Sequence, residues 1–159
     1  MAGGRKSRPA PPTKPPNTLV LDNGASTLKV GLVRGSQIDA PLVVPNCIAR
    51  NRLKKTFVAA EIDQCRDFSE IQFRRPVERG SIVNWEAQKE IWDRQFFDDK
   101  APLKCDPAET RLLLAEPPNS LPALQTNCDQ IVFEEYGFTS YYRGIGALYY
   151  HREHRHGIY

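Results

Sequence analysis

Residues 18–33 restrict this chain more than any other segment. Thr18-Leu19-Val20-Leu21-Asp22 and Leu28-Lys29-Val30-Gly31-Leu32-Val33 are two apolar runs rich in strand-forming residues, and Asn23-Gly24-Ala25-Ser26-Thr27 lies between them. Asn and Gly tolerate the positive φ of tight connections, so the segment predicts an antiparallel hairpin. Arg34-Gly35-Ser36 supplies a second turn, and Pro41-Leu42-Val43-Val44-Pro45 a third strand bounded by prolines. The chain therefore opens as a three-stranded antiparallel meander.

Beyond it the pattern weakens. From Asn46 to Gly80 apolar residues come in small groups, Arg50, Arg52, Lys54 and Lys55 crowd together, and only Glu70-Ile71-Gln72-Phe73-Arg74 alternates clearly enough for a strand. At Asn84 the period changes. Asn84 is a good N-cap, Glu86 suits the positive helix end, and Trp85, Gln88, Trp92 and Phe96 share one face of a helix over 84–97. Leu112-Leu113-Leu114-Ala115 reads as a strand buried on both faces. Leu121, Leu124, Cys128, Ile131, Val132 and Glu135 describe a second helix ended by Gly137, and Phe138-Thr139-Ser140-Tyr141-Tyr142 a further strand. The sum is an α/β fold with antiparallel strands first and helices alternating with strands afterwards.

Charge has a location. Residues 1–16 hold Arg5, Lys6, Arg8 and Lys14 and no acid against a total of +3 over 159 residues, so the body is one negative charge from neutral. The same segment holds Pro9, Pro11, Pro12, Pro15 and Pro16 and cannot bury enough apolar surface to offset its ordering entropy, so residues 1–17 are expected to be a disordered basic tail. A near-neutral body argues against a broad phosphate-binding surface for nucleic acid. No apolar stretch reaches the roughly 18–20 residues of a membrane span, and the N-terminus has a basic region without the apolar segment of a secretory signal, so no such signal is expected. Cys47, Cys65, Cys105 and Cys128 lie 18, 40 and 23 positions apart, which is neither zinc spacing nor a disulfide framework. A soluble protein of a reducing, intracellular compartment is expected.

The hairpin connection has chemical potential. Consecutive small residues in a turn expose backbone N–H groups to phosphate oxygens. Asp22, at the end of the first strand, could hold waters around Mg²⁺, and Lys29 on the returning strand could meet a phosphate. An ordinary Asn-Gly hairpin flanked by surface charges explains the same residues. Gly144-Ile145-Gly146 lacks the third glycine of a dinucleotide fingerprint and reads as a close-packing or turn site. Asp98-Asp99 and Glu134-Glu135 are sequential pairs that diverge on a helix and read as solvated charge. Arg50 to Lys55 reads as a solvated loop or a contact for phosphate or acidic protein, and Gly4-Arg5-Lys6-Ser7-Arg8 as a tail segment or an import signal. His151, His154 and His156 lie within six residues and read as a solvated terminal segment, with metal binding as the lesser alternative.

Leu19-Val20-Leu21-Asp22-Asn23-Gly24, followed by Lys29 and Gly31, resembles the first phosphate loop of actin and actin-related proteins, Asp-Asn-Gly-Ser-Gly-x-x-Lys-x-Gly. Pro45-Asn46-Cys47, Arg79-Gly80-Ser81-Ile82-Val83-Asn84-Trp85-Glu86, Ile91-Trp92-Asp93, Leu113-Leu114-Ala115-Glu116-Pro117 and Ile131 to Phe138 follow in the family's order, so the resemblance spans about 18–150. Within the family these motifs look most like the sixth class of actin-related proteins, nuclear subunits of remodellers that exchange a histone H2A variant.

The resemblance implies the N-terminal part of an actin-like, ribonuclease-H-like fold, with 46–79 as a small outer subdomain and 151–159 as a divergent end. It implies that Asp22 approaches a nucleotide's Mg²⁺ through water, that the backbone of Asn23, Gly24, Ala25, Ser26 and Thr27 faces phosphates, and that Lys29 contacts them. Departures limit this. Ala25 and Ser26 stand where actin has Ser and Gly, and Gly146 aligns with the glutamine that orients the attacking water, which leaves no side chain there to position water. The second phosphate loop would fall beyond position 159, so ATP or ADP with Mg²⁺ belongs to the full-length protein, and tight binding by this chain alone is not expected. The implied role is that of a non-catalytic scaffold, with partners that are other subunits of a remodelling complex including its motor ATPase, histones or nucleosomes met indirectly, and no membrane. Its location is the nucleus, with the cytoplasm as a second site. An ATPase or phosphotransferase of the actin and sugar-kinase clan, or a cytoskeletal polymer subunit, are the alternatives.

Overall fold

A computed structural model describes residues 17–66 and 68–146. Apart from Asn17, the expected basic tail lies outside these residues, as do the three histidines and the divergent end.

The opening meander forms as β1 (Asn17–Asn23), β2 (Thr27–Arg34), an additional two-residue β3 (Gln37–Ile38) and β4 (Leu42–Pro45). Next come β5 (Ile48–Arg50), β6 (Thr56–Val58), β7 (Gln72–Arg74), β8 (Val77–Glu78) and β9 (Ser81–Ile82). The second half alternates: α1 (Trp85–Trp92), β10 (Thr110–Glu116), α2 (Pro122–Gln130) and β11 (Ser140–Ile145). One six-stranded sheet runs β11-β10-β1-β2-β3, with β4 also paired to β2. β1 meets β2 antiparallel and β10 parallel, and β10 meets β11 parallel through the α2 crossover.

Alternation decides what is buried. Leu19, Leu21, Leu28, Val30, Leu32, Leu112 and Leu114 point to one face and join a core with Ile91, Trp92 and Phe96 from α1 and its extension and Cys128 and Val132 from α2 and its extension. Each of the larger side chains contributes about 1.5–3 kcal/mol by leaving water. β10 corrects the sequence reading, because only Leu112 and Leu114 are buried while Leu113 and Ala115 are half-buried. Both helices pack on a single face, and no described element covers the other. There Val20, Leu113 and Tyr142 stand in register across β1, β10 and β11.

α1 begins as expected, with Asn84 Oδ1 accepting from the Ala87 amide at 3.1 Å. Regular helix ends at Trp92, and residues 93–97 continue as a wider turn in which the Asp98 amide donates to Asp93 O at 2.8 Å. α2 ends likewise in a wide turn over 131–135, followed by Gly137 at φ +70. Leu121 is corrected: it sits at the N-cap position, exposed, rather than on the buried face. The last strand starts at Ser140, because Phe138 is still held by the helix end through its amide to Val132 O at 3.2 Å and is buried in the core. Likewise β7 starts at Gln72 rather than Glu70, whose φ of +54 is incompatible with a strand.

β6, β5 and β7 form a separate three-stranded sheet with its own apolar cluster of Cys47, Ala49, Phe57, Ile62 and Cys65. Asn46 and Cys47 are the two residues between β4 of the large sheet and β5 of the small one. No described helix is long and apolar enough to cross a membrane.

Candidate functional site

The connection between β1 and β2 is closed by a hydrogen bond from the Gly24 amide to Thr27 O at 3.1 Å. Glycine is needed there on steric grounds, because a Cβ would stand 2.8 Å from Thr27 O. Two of the loop's carbonyls are tied down by one residue. The Asn46 amide donates to Ser26 O at 2.9 Å, and Asn46 Nδ2 to Gly24 O at 2.8 Å. A planar trans peptide carries its N–H and C=O on opposite edges, so the N–H groups of Ala25 and Thr27 turn away from Asn46. Ala25 and Ser26 are exposed.

Asp22 and Lys29 are cross-strand partners on the uncovered face of the sheet, joined carboxylate to ammonium at 3.0 Å. They line an open concavity of about 910 Å³ together with Asn23, Gly24, Glu116 and Gly146. Ala25, Ser26 and Thr27 do not line it; they form the connection beside it. Gly146, at the end of β11, packs so that a Cβ would lie 3.4 Å from that of Ala115, in keeping with its reading as a close-packing residue. Gly80, also on the wall, has φ +82 and meets Pro117, where a Cβ would be 3.3 Å from the ring. Glu116 is committed elsewhere: it accepts from Gln125 Nε2 at 3.0 Å and lies 3.7 Å from the Arg143 guanidinium. The site thus offers an ammonium, an accessible carboxylate and N–H groups turned away from Asn46 beside a roomy hollow, a set suited to an anion and a hydrated cation.

The Asn23 side chain does not face that hollow. It is buried on the core side, where its amide meets Gln88 Oε1 at 2.9 Å and Trp92 Nε1 at 3.1 Å. Gln88 and Asn46 are fully buried beside it. Sequence reasoning noted Gln88 only as a member of a helix face and Asn46 only within a motif. The signal was an amide among apolar neighbours, which by itself does not say what it bonds.

The remaining motifs stay structural. Asp98 pairs with Arg94 at 3.7 Å, Asp99 with Lys104 at 2.7 Å, and Glu135 with Lys89, all at the surface. Arg52 lies 3.6 Å from Glu70, and Lys55 sits over the Phe57 ring. Among the described residues no group of three or more His, Cys, Asp or Glu could hold a metal ion. Cys128 and Tyr141 are in contact at 3.1 Å, and burial pushes both above their ordinary titration ranges.

A family model described as Actin matches residues 13–151. This chain belongs to the actin family. It is 64% identical to "Actin-related protein 6" of Neurospora crassa over 148 residues, covering 92% of this chain and 33% of that protein. It is 45% identical to "Actin-like protein arp6" of Aspergillus fumigatus, covering 89% and 33%, and 37% identical to "Actin-related protein 6" of Drosophila melanogaster, covering 81% and 32%. The resemblance to the sixth class of actin-related proteins therefore holds from fungi to an insect. This actin-family chain spans about a third of the length of the curated relatives it matches. Its α/β sheet, parallel and antiparallel in one layer, is part of an actin fold.

Proposed function

We propose that this chain is part of a non-catalytic, nuclear scaffold subunit of an ATP-dependent chromatin-remodelling complex that exchanges a histone H2A variant. The similarity to proteins named for the sixth class supports the assignment to such a complex. One observation supports the non-catalytic role: Gly146, on the wall of the concavity that holds Asp22 and Lys29, offers no side chain to orient an attacking water. In this reading the motor ATPase is another subunit, histones are met through other subunits, and residues 46–79 form a small outer subdomain.

The residues present suit a nucleotide as a structural ligand. The outward N–H groups of Ala25 and Thr27 and the Lys29 ammonium would hold phosphate oxygens, and Asp22 would meet hydrated Mg²⁺ after releasing Lys29. Bound nucleotide would supply a charged brace between the parts of the fold that contact it. Affinity purification of the tagged protein from nuclei tests the assignment: a motor ATPase and histone-exchange subunits should co-purify in fixed proportion. Recovery without any such ATPase would reject it.

The Asp22–Lys29 pair beside an open concavity also favours a second reading, an ATPase of the wider clan. Steady ATP turnover by the purified protein, abolished in Asp22→Ala, would decide for that reading over the scaffold.

A further inference from the structure

Four side chains and one carbonyl form a single directed hydrogen-bond relay through the core. The Trp92 indole, which can only donate, gives its Nε1–H to Asn23 Oδ1 at 3.1 Å. This fixes the Asn23 amide, whose Nδ2 donates to Gln88 Oε1 at 2.9 Å. Gln88 must then use Nε2 as donor, and it reaches Asn46 Oδ1 at 3.1 Å. Asn46 Nδ2 is left to donate, and it meets Gly24 O at 2.8 Å, a backbone oxygen that can only accept. A second contact, from Asn46 Nδ2 to Gln88 Oε1 at 3.3 Å, pairs these two amides in both directions.

Every amide orientation is thereby set from both ends. The direction of the relay matters because three amides with this little exposure to water are costly unless each polar atom is satisfied, and apolar side chains would fill the same volume without that demand. What apolar side chains could not do is grip a loop carbonyl. Asn46 grips two, through its side chain to Gly24 O and its backbone amide to Ser26 O. Gln88 and Trp92 sit on α1, a capped helix packed in the core, so the loop is referenced to a rigid element.

We propose that Gln88, Asn46 and Asn23 are positioning residues that preset the 23–27 loop, holding the Ala25 and Thr27 N–H groups outward before a phosphate arrives. Preorganisation of this kind removes the ordering cost from the binding step. The ligand clause rests on the nucleotide reading above; the loop clause does not.

Hydrogen exchange on the full chain separates the two. In Gln88→Met, which keeps length and apolar contact but breaks the relay, the Gly24 and Asn46 amides should exchange at least tenfold faster. The amides of Leu19, Leu21, Leu112 and Leu114 should keep their rates. Unchanged protection at Gly24 and Asn46, or loosening only in step with those strand amides, would overturn the proposal. Should Gln88→Met fail to fold, Asn46→Ser is judged by the same comparison. Titration of the full-length protein with Mg·ATP forms the second arm, where Gln88→Met should bind at least tenfold more weakly than the unaltered protein, and equal affinity would overturn the proposal. Full-length protein whose loop gains no protection from Mg·ATP would instead remove the nucleotide reading, leaving the exchange comparison to decide the relay.

Discussion

Asp22 and Lys29 face one another as a register pair across β1 and β2, with Nζ 3.0 Å from Oδ2 and both side chains at least half exposed. An exposed pair of this kind contributes little to folding, because solvent screens the attraction and two side chains lose freedom in making it. Lys29→Ala and Asp22→Ala are therefore each expected to shift urea-unfolding free energy by less than about 1 kcal/mol. Nucleotide affinity, measured separately by thermal shift in Mg·ATP, should fall in both. A large stability loss with no change in affinity would assign the pair to the fold instead of the site.

Gly24 and Gly31 belong to the same hairpin yet differ in what a methyl group would meet. At Gly24 a Cβ would come 2.8 Å from Thr27 O, whereas at Gly31 nothing lies within 4 Å. Gly24→Ala must displace that carbonyl and break the bond that closes the loop, at a cost of about 1–3 kcal/mol. Gly31→Ala should be neutral or stabilising by up to about 1 kcal/mol, since it restricts the unfolded chain without a clash. Equal effects in equilibrium denaturation would contradict the loop geometry.

The thiols give a pH dependence with a definite sign. Burial lifts the Cys105 thiol from 9.0 to about 11, and Cys47 and Cys128 shift in the same direction for the same reason. The folded state retains protons that the unfolded chain releases, so this contribution is full below pH about 9 and is lost as pH rises towards 11. Tyr136 and Tyr141, also raised by burial, add to the loss above their ordinary value of 10.0. The urea midpoint should decline steadily across this window, and Cys105→Ala should flatten the decline. A midpoint that rises with alkaline pH would refute the burial of these groups.

Much of this architecture could be read along the chain because the signals were local. The β1–β2 hairpin followed from two apolar runs flanking Asn23-Gly24, and the start of α1 from Asn84 with its cap three residues before Ala87. Asp22 and Lys29 were found by the same hairpin logic and do face one concavity. The relay was not legible. Asn46 and Gln88 are 42 positions apart, and their bond depends on β4 and α1 meeting in space. The four apolar residues from Leu112 to Ala115 misled for a related reason: a continuous run implies cover on both faces, but both helices pack on one.

That uneven cover has a measurable consequence. Val20 and Tyr142 are 37% and 60% exposed, and with half-buried Leu113 between them they form one row across β1, β10 and β11. Single exposed apolar residues are ordinary, but a contiguous patch on a sheet offers a surface that apolar molecules can occupy. The native chain is expected to bind an environment-sensitive apolar dye before any unfolding begins. Val20→Lys combined with Tyr142→Lys should remove most of that fluorescence while leaving the urea midpoint nearly unchanged, because neither side chain belongs to the packed face. Leu53→Lys is the matched control, since Leu53 is 82% exposed and lies outside both apolar clusters. Equal loss of dye binding in the control, or none in the double variant, would place the accessible apolar surface somewhere other than this face.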